Sequence, residues 1–491
     1  MASKLLIEAV KSGDISKCRK TLNLKGVNIN RKDPNGYSSL ILASRDGHLE
    51  VADLLVTSGA NVQDKTNEGY TSLMMASNFG HLRIVEFLIS KGANVHDKDL
   101  KGTSSLIAAS ALGLTNLVRL LLSKGANIHD RDHFGANSLF LASRYKFSDT
   151  VDLLLSKGSN IHDKTTTGGF SSLYIACQEG NVNIVELLLS KDANLNDSTN
   201  DGTSPLMIAC QNGHSIIAEL LLNKEANVNI KNNDGTSPII IASQENQLTI
   251  VDLLLLKGAN INDKDFTGTT SLFQACKRGR LDTTELLLNK GADITDRASD
   301  TGMSSVMVAC QYGHLSIVEL LLSKGANIHD KCYDGFNNLF IACQNGFFSI
   351  VELLLSKGAD INDKFNGRFS NLFIACQNGH LSIVELLLSK GADINDRARD
   401  GSTPLMIASQ MGHLSVVQLL LCKGADVNET LISSGATAEM IAANKGHHKI
   451  AKLLAFWPHC VGIIVFRELG RDSALLYSLL DYHFMSILSY I

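Results

Sequence analysis

The sequence predicts an all-α solenoid of about 14 stacked helix-turn-helix repeats, and three observations predict it. A short block recurs at fixed distance: Cys343-Gln344-Asn345-Gly346 returns 33 residues on as Cys376-Gln377-Asn378-Gly379, and Leu353-Leu354-Leu355-Ser356-Lys357-Gly358 returns as Leu386-Leu387-Leu388-Ser389-Lys390-Gly391. The alanine of the Ile-Ala-Cys or Leu-Ala-Ser block anchors the whole series at Ala9, Ala43, Ala76, Ala109, Ala142, Ala176, Ala209, Ala242, Ala275, Ala309, Ala342, Ala375, Ala408 and Ala442, every gap being 33 or 34 residues. Within each interval the apolar residues keep helical spacing, as Ile350, Val351, Leu353 and Leu354 do.

Each element has a local cause. Five residues before every anchor from Ala43 onward stands Ser, Thr or Asn, among them Ser38, Thr71, Asn137, Ser304 and Thr437. These side chains accept hydrogen bonds from the free amides at a helix start. A short helix follows, and in most repeats a glycine such as Gly47, Gly313 or Gly379 breaks it. The second helix ends at Ser-Lys-Gly, with Lys357 near the negative helix end and Gly358 available for a left-handed cap. A polar finger then leads through Asp-Gly to the next repeat. Helices of roughly 8–10 residues are too short to persist alone in water, so stacking must supply the burial they lack. Repetition therefore accounts for residues 2–456, the first and last repeats being atypical caps, and leaves 457–491 as an apolar non-repeat tail with the single Trp457 and the run Val461 to Phe466. That tail is expected to cap the last repeat; a partner-docking or membrane-touching helix is the alternative.

Composition narrows the function. Hydrophobic residues make up 44% and charged residues 19%, a folded and soluble balance. The net charge of −4 gives no bias toward nucleic acid or an anionic membrane. The apolar stretch before Glu8 is too short for a signal-peptide core, and Asp481 and His483 interrupt the nearest approach to a membrane span, Ala474 to Ile491. A cytoplasmic or nuclear protein that touches no membrane is expected.

The run Asp400-Gly401-Ser402-Thr403-Pro404-Leu405-Met406-Ile407-Ala408, then Gly412-His413-Leu414-Ser415-Val416-Val417-Gln418-Leu419-Leu420-Leu421, then Gly424-Ala425-Asp426-Val427-Asn428, resembles an ankyrin repeat, and the resemblance covers about residues 2–456. It implies a curved helical stack with hairpin-like fingers at one end. It also implies that the concave surface of fingers and inner helices binds another protein, in a monomer without cofactor. The usual His of the Thr-Pro-Leu-His tetrapeptide is absent, its place taken by Ile41, Met74, Phe140, Tyr174, Phe273, Phe340 and Phe373, and the proline survives at Pro205, Pro238 and Pro404. Apolar packing is thus expected where the family has a polar tie between loops.

Two columns invite a chemical reading and fail it. Cys177, Cys210, Cys276, Cys310, Cys343 and Cys376 follow their anchors, where Ser stands in most other repeats. Stacked helices lie about 8–10 Å apart, whereas a disulfide needs Cα atoms within about 7 Å and zinc needs every ligand at about 2.0–2.3 Å. The column reads as a small buried packing site. His48, His81, His214, His314, His380, His413 and His447 open the second helices and read as structural, while His96, His129, His162 and His329 lie in the fingers a repeat apart, too far to share a metal. Charges alternate, as in Asp97-Lys98 and Asp363-Lys364; a solvated face is favoured over a polyanion site. No P-loop, His-Glu-x-x-His or Gly-x-Gly-x-x-Gly motif is present, so no enzyme is expected.

What varies is the strip formed by the second and third residues after each anchor, and the residue just past each finger turn. Aromatic and Arg side chains dominate binding hot spots. The expected partner contacts are Phe79, Arg144, Tyr145, Gln178, Lys277, Arg278, Gln311, Tyr312, Gln344 and Gln377 on the strip, and Tyr37, Tyr70, Phe170, Phe336 and Phe369 in the fingers. The functional expectation is a non-catalytic protein-binding scaffold or adaptor; the alternative is a targeting subunit of a ubiquitin ligase or phosphatase, recruited through the tail. Asp192 and Glu225 replace cap glycines and Asn246 a turn glycine, which makes 190–250 the expected soft stretch.

Overall fold

Local rules set the helix boundaries. In the computed structural model, which describes residues 2–457, the side chains of Thr71, Ser104, Asn137, Ser171, Ser204, Thr270, Asn337, Ser370, Thr403 and Thr437 each accept a bond from the amide three residues on. Ser38 and Ser304 correct the pattern. Their backbones keep the extended cap conformation, with ψ of 165° and 166°, but neither side chain makes the cap bond. Helix start there rests on backbone geometry, and both hydroxyls are buried without a partner in the protein.

The repeat beginning at Asn338 shows the common form. Asn338–Asn345 is closed by Gly346 at φ +80°, and Phe348–Ser356 ends ahead of Gly358 at φ +92°. The expected substitutes Asp192, Glu225 and Asn246 do stand in the left-handed region, at φ +62°, +66° and +62°. Two more residues join them, Lys146 at +70° in a turn and Asn366 at +48° in a finger. Each such side chain costs roughly 1–2 kcal/mol relative to glycine.

The described residues divide into two compact units, residues 2–242 with 249–260, and residues 243–248 with 261–457. Within the first, helices such as Ser39–Asp46 and Ser72–Asn78 stack side by side, with Leu49–Thr57 and Leu82–Ser90 behind them. Within the second, Asn338–Asn345, Asn371–Gln377 and Pro404–Met411 stack in the same way, backed by Phe348–Ser356, Leu381–Ser389 and Leu414–Cys422. The core of a repeat comes from both rows: Leu339, Phe340, Ala342 and Cys343 from the front helix, Ile350, Val351 and Leu354 from the back one.

The fingers are minimal hairpins. Lys364–Phe365 pairs antiparallel with Phe369–Ser370, and single bridges join Lys65 to Thr71, Lys98 to Ser104 and Lys331 to Asn337. The seven apolar replacements of the family histidine are buried, as expected. The tie between loops nevertheless persists in the backbone. The Leu100 amide donates to the Glu68 carbonyl at 3.0 Å, His133 to Lys101 at 2.9 Å and Tyr333 to Thr301 at 3.0 Å. The expected exchange of a polar tie for apolar packing is therefore incomplete: packing was added below the fingers, while main-chain bonds still join their tips.

All six column cysteines are free thiols and fully buried. Burial pushes the Cys276 thiol up to about 12 and the other five well above the ordinary thiol range. A raised folded-state value makes the unfolded chain shed its thiol protons first, so stability is fully present below about pH 8.5 and falls as pH rises past it. We expect the unfolding free energy, read by urea denaturation, to drop between pH 8 and 10, by up to ~1.4 kcal/mol per pH unit for each thiol. A chain with all six as serine should lose that slope; an unchanged slope would mean that other groups set it.

Candidate protein-binding surface

The second helices open on histidines whose role the backbone defines. His81 Nε2 lies 2.9 Å from the Arg45 carbonyl oxygen, His214 3.1 Å from Gln178, His314 3.2 Å from Lys277, His380 3.1 Å from Gln344, His413 2.9 Å from Gln377 and His447 3.1 Å from Gln410. A carbonyl only accepts, so in each ring Nε2 carries the proton. Where the histidine is replaced by Arg280, its Nε donates to the Gln244 carbonyl at 3.0 Å. The acceptor is always the main chain of the first strip residue one repeat back. The histidine column thus fixes the strip's backbone through its carbonyls and draws on none of its side chains. Among the described residues the side-chain amides of Gln178, Gln344 and Gln377 have no hydrogen-bond partner, so the glutamine run forms no side-chain ladder within the protein.

The strip residues are accessible. Phe79, Arg144, Tyr145, Arg278, Gln311, Tyr312 and Gln344 are exposed, and Gln178, Lys277 and Gln377 partly so. Phe79 and Tyr312 each lie nearly parallel to the bridging histidine two residues on, His81 and His314, with interplanar angles of 11° and 12°. The Arg144 guanidinium sits 5.9 Å from the Tyr145 ring centre. Lys277, Gln311 and Tyr312 come together in one groove of about 280 Å³, whose floor includes Phe273 and Val308 and whose finger wall includes Thr267, Thr269 and Thr301. Lys277 and Arg278 have no ion-pair partner among the described residues.

The finger aromatics are placed differently. Tyr37, Tyr70, Phe170, Phe336 and Phe369 are half-buried. Phe336 stacks on Phe365 of the next finger at 4.2 Å and 7°, Phe365 on Phe369 at 6.3 Å, and Phe369 on Phe373 beneath it at 4.8 Å. Phe170 packs 5.2 Å from Tyr174, and the Arg45 guanidinium lies 5.8 Å from the Tyr37 ring. Burial, then the Asp99 carboxylate, pushes the Tyr70 phenol up. What the fingers present to solvent is instead their tips: Leu100, Phe134, Tyr333 and Phe266, the last 75% exposed. Sequence reading passed over these because they occupy turn positions where polar residues are ordinary.

The finger charges do not pair within a finger. Lys65 reaches Asp97 of the next finger at 2.9 Å, Lys98 reaches Asp130 at 2.9 Å and Arg131 reaches Asp163 at 2.6 Å. In the second unit Arg297 reaches Asp330 and Lys331 reaches Asp363, both at 2.7 Å, and Lys364 reaches Asp396. Burial raises Asp363, but hydrogen bonds from Lys331 and Asn337 outweigh it and hold the carboxyl below its ordinary range. Basic side chains paired in this ladder are poor ligands for a polyanion. Exposed pairs contribute only about 0–1 kcal/mol each, so the ladder sets register more than stability.

Among the described residues, no group of His, Cys, Asp and Glu is arranged to hold a metal, and no helix is long and apolar enough to cross a membrane. The tail-mediated readings concern residues that, from 458 on, lie outside the described part of the chain. No curated protein matches the chain closely enough to count as a relative. The family model for ankyrin repeats (3 copies) matches at 6–99, 105–199, 139–232, 173–265, 224–298, 272–365, 339–431 and 372–463. With matches along nearly its whole length and the paired helices and hairpin fingers to go with them, the chain belongs to the ankyrin-repeat family, whose members serve as a rule as non-catalytic modules of protein–protein interaction.

Proposed function

We propose that this protein is a non-catalytic scaffold or adaptor that binds a protein partner along the strip beside the fingers, in the cytoplasm or nucleus and as a monomer. One observation carries the reading. The strip's carbonyls are tied to the next repeat, while the side chains of Lys277, Arg278 and the glutamines make no ion pair or hydrogen bond with the described residues, and Lys277, Gln311 and Tyr312 line a preformed groove. A rigid backbone presenting accessible aromatic, cationic and amide groups spends little ordering entropy on binding.

The test compares three immobilised full-length proteins in the same lysate, with bound proteins quantified by mass spectrometry. These are the wild type, a Lys277→Glu/Arg278→Glu/Tyr312→Ala variant and a Glu352→Lys/Glu385→Lys variant of the exposed second-helix face. At least one protein should bind the wild type and the second-helix variant equally and the strip variant about 30-fold more weakly, as loss of a hot spot worth ~2 kcal/mol requires. Partners that ignore the strip variant and drop with the second-helix variant would place recognition on the opposite face.

A further inference from the structure

A repeat stacks on its neighbour through the residue two before its anchor. Phe140 packs against Ile175 of the next repeat, and Phe340 against Phe365 of the next finger at 5.5 Å. At every equivalent position from Ile41 to Met406 this side chain is 7% exposed or less. In the last repeat the same position is Met440, and it is 58% exposed. The residue after the anchor repeats the contrast. From Ser44 through Cys343 to Ser409 that column is fully buried, but Ala443 is exposed. Phe456, on the helical residues 448–457, is 56% exposed as well. The last repeat therefore ends in an open stacking face of the kind that earlier repeats of the same unit cover with their successors.

We propose that residues 458–491 of the same chain cover this face. The segment runs on directly from the helical residues 448–457, so it is tethered beside the face. Its composition suits the task, with Ile463, Ile464, Val465 and Phe466, then Leu475, Leu476, Leu479 and Leu480. Attachment to the face it covers gives it an effective concentration in the millimolar range, which a second copy at micromolar concentration does not match. The partner of Met440 is thus the chain's own tail, and this inference stands whether or not the strip binds a protein.

The chain supplies its own reference for the test. Met411, on the strip, is 46% exposed, close to Met440. Methionine oxidation follows exposure. The purified full-length protein is treated with dilute peroxide at 1 and 100 µM protein (about a hundredfold range chosen to separate intramolecular from intermolecular cover), and the two sulfoxides are followed by peptide mass spectrometry. Met440 should oxidise roughly 10-fold more slowly than Met411 at both concentrations. Equal rates would show the face to be open, and protection that disappears on dilution would show that a second molecule covers it; either overturns the proposal.

Discussion

Replacing Cys343 with aspartate should cost roughly 4 kcal/mol or more at neutral pH, whereas replacing it with serine should cost less than about 1 kcal/mol. The position is fully buried and offers a charge no partner. A carboxyl moved into such a site has its pKa raised by about 3–5 units, and each unit is ~1.36 kcal/mol. The penalty is largest above the raised value and shrinks as acid protonates the group, so lowering the pH should narrow the gap to wild type. Serine meets a site the fold already knows. Ser44, Ser77, Ser110 and Ser143 occupy the same column and donate back to the carbonyls of Leu40, Leu73, Leu106 and Leu139 at 2.7–2.8 Å. A Cys343→Ser chain can make the equivalent bond to Leu339. Urea denaturation of both variants at pH 5 and pH 7 checks the pair. A costly serine and a harmless aspartate would mean that the thiol itself matters and the site is open to water.

Gly346→Val should be the second severe change, at about 3 kcal/mol or more. The backbone stands at φ +80°, which costs an L side chain about 1–2 kcal/mol. A Cβ there falls 2.7 Å from Cε1 of His380. The ring must move, and its bond to the Gln344 carbonyl at 3.1 Å goes with it, for a further ~1 kcal/mol. Gly358→Ala is the control: φ is +92°, but no heavy atom lies within 4 Å, so only the backbone strain of about 1–2 kcal/mol should register. Stability in a repeat array is nearly a sum of neighbour terms, so hydrogen exchange should quicken around residues 338–389 and stay unchanged in the first compact unit. Equal costs for the two glycines would remove the histidine bridge from the account.

Where a signal was local and recurred in each repeat, the sequence was readable. Cap residues, turn glycines and the apolar stripe each act within a few positions, so Thr71, Gly47 or Val351 could be assigned from neighbours alone. What the sequence did not reveal are partners one repeat away. Asp97 and Lys98 are adjacent in the chain, yet Asp97 pairs back to Lys65 and Lys98 forward to Asp130, because stacked fingers bring residues 32 apart closer than side chains of neighbours can turn. Phe365 stands where most other fingers carry small or polar residues, and nothing short of the fold shows that it fills the space between Phe336 and Phe369. The strip was visible as variation. That three of its members, Lys277, Gln311 and Tyr312, share one groove follows from stacking and not from spacing.

The histidine bridge separates two kinds of inheritance. Its acceptor is a carbonyl, which every amino acid carries, so the stack is indifferent to which side chain stands at Arg45, Gln178, Lys277 or Gln377. On the proposed function, substitution at those positions changes what the surface binds without a matching change in the joint beneath it. The joint between repeats is thereby insulated from the chemistry of the strip, so specificity and architecture are set by different atoms of the same residues.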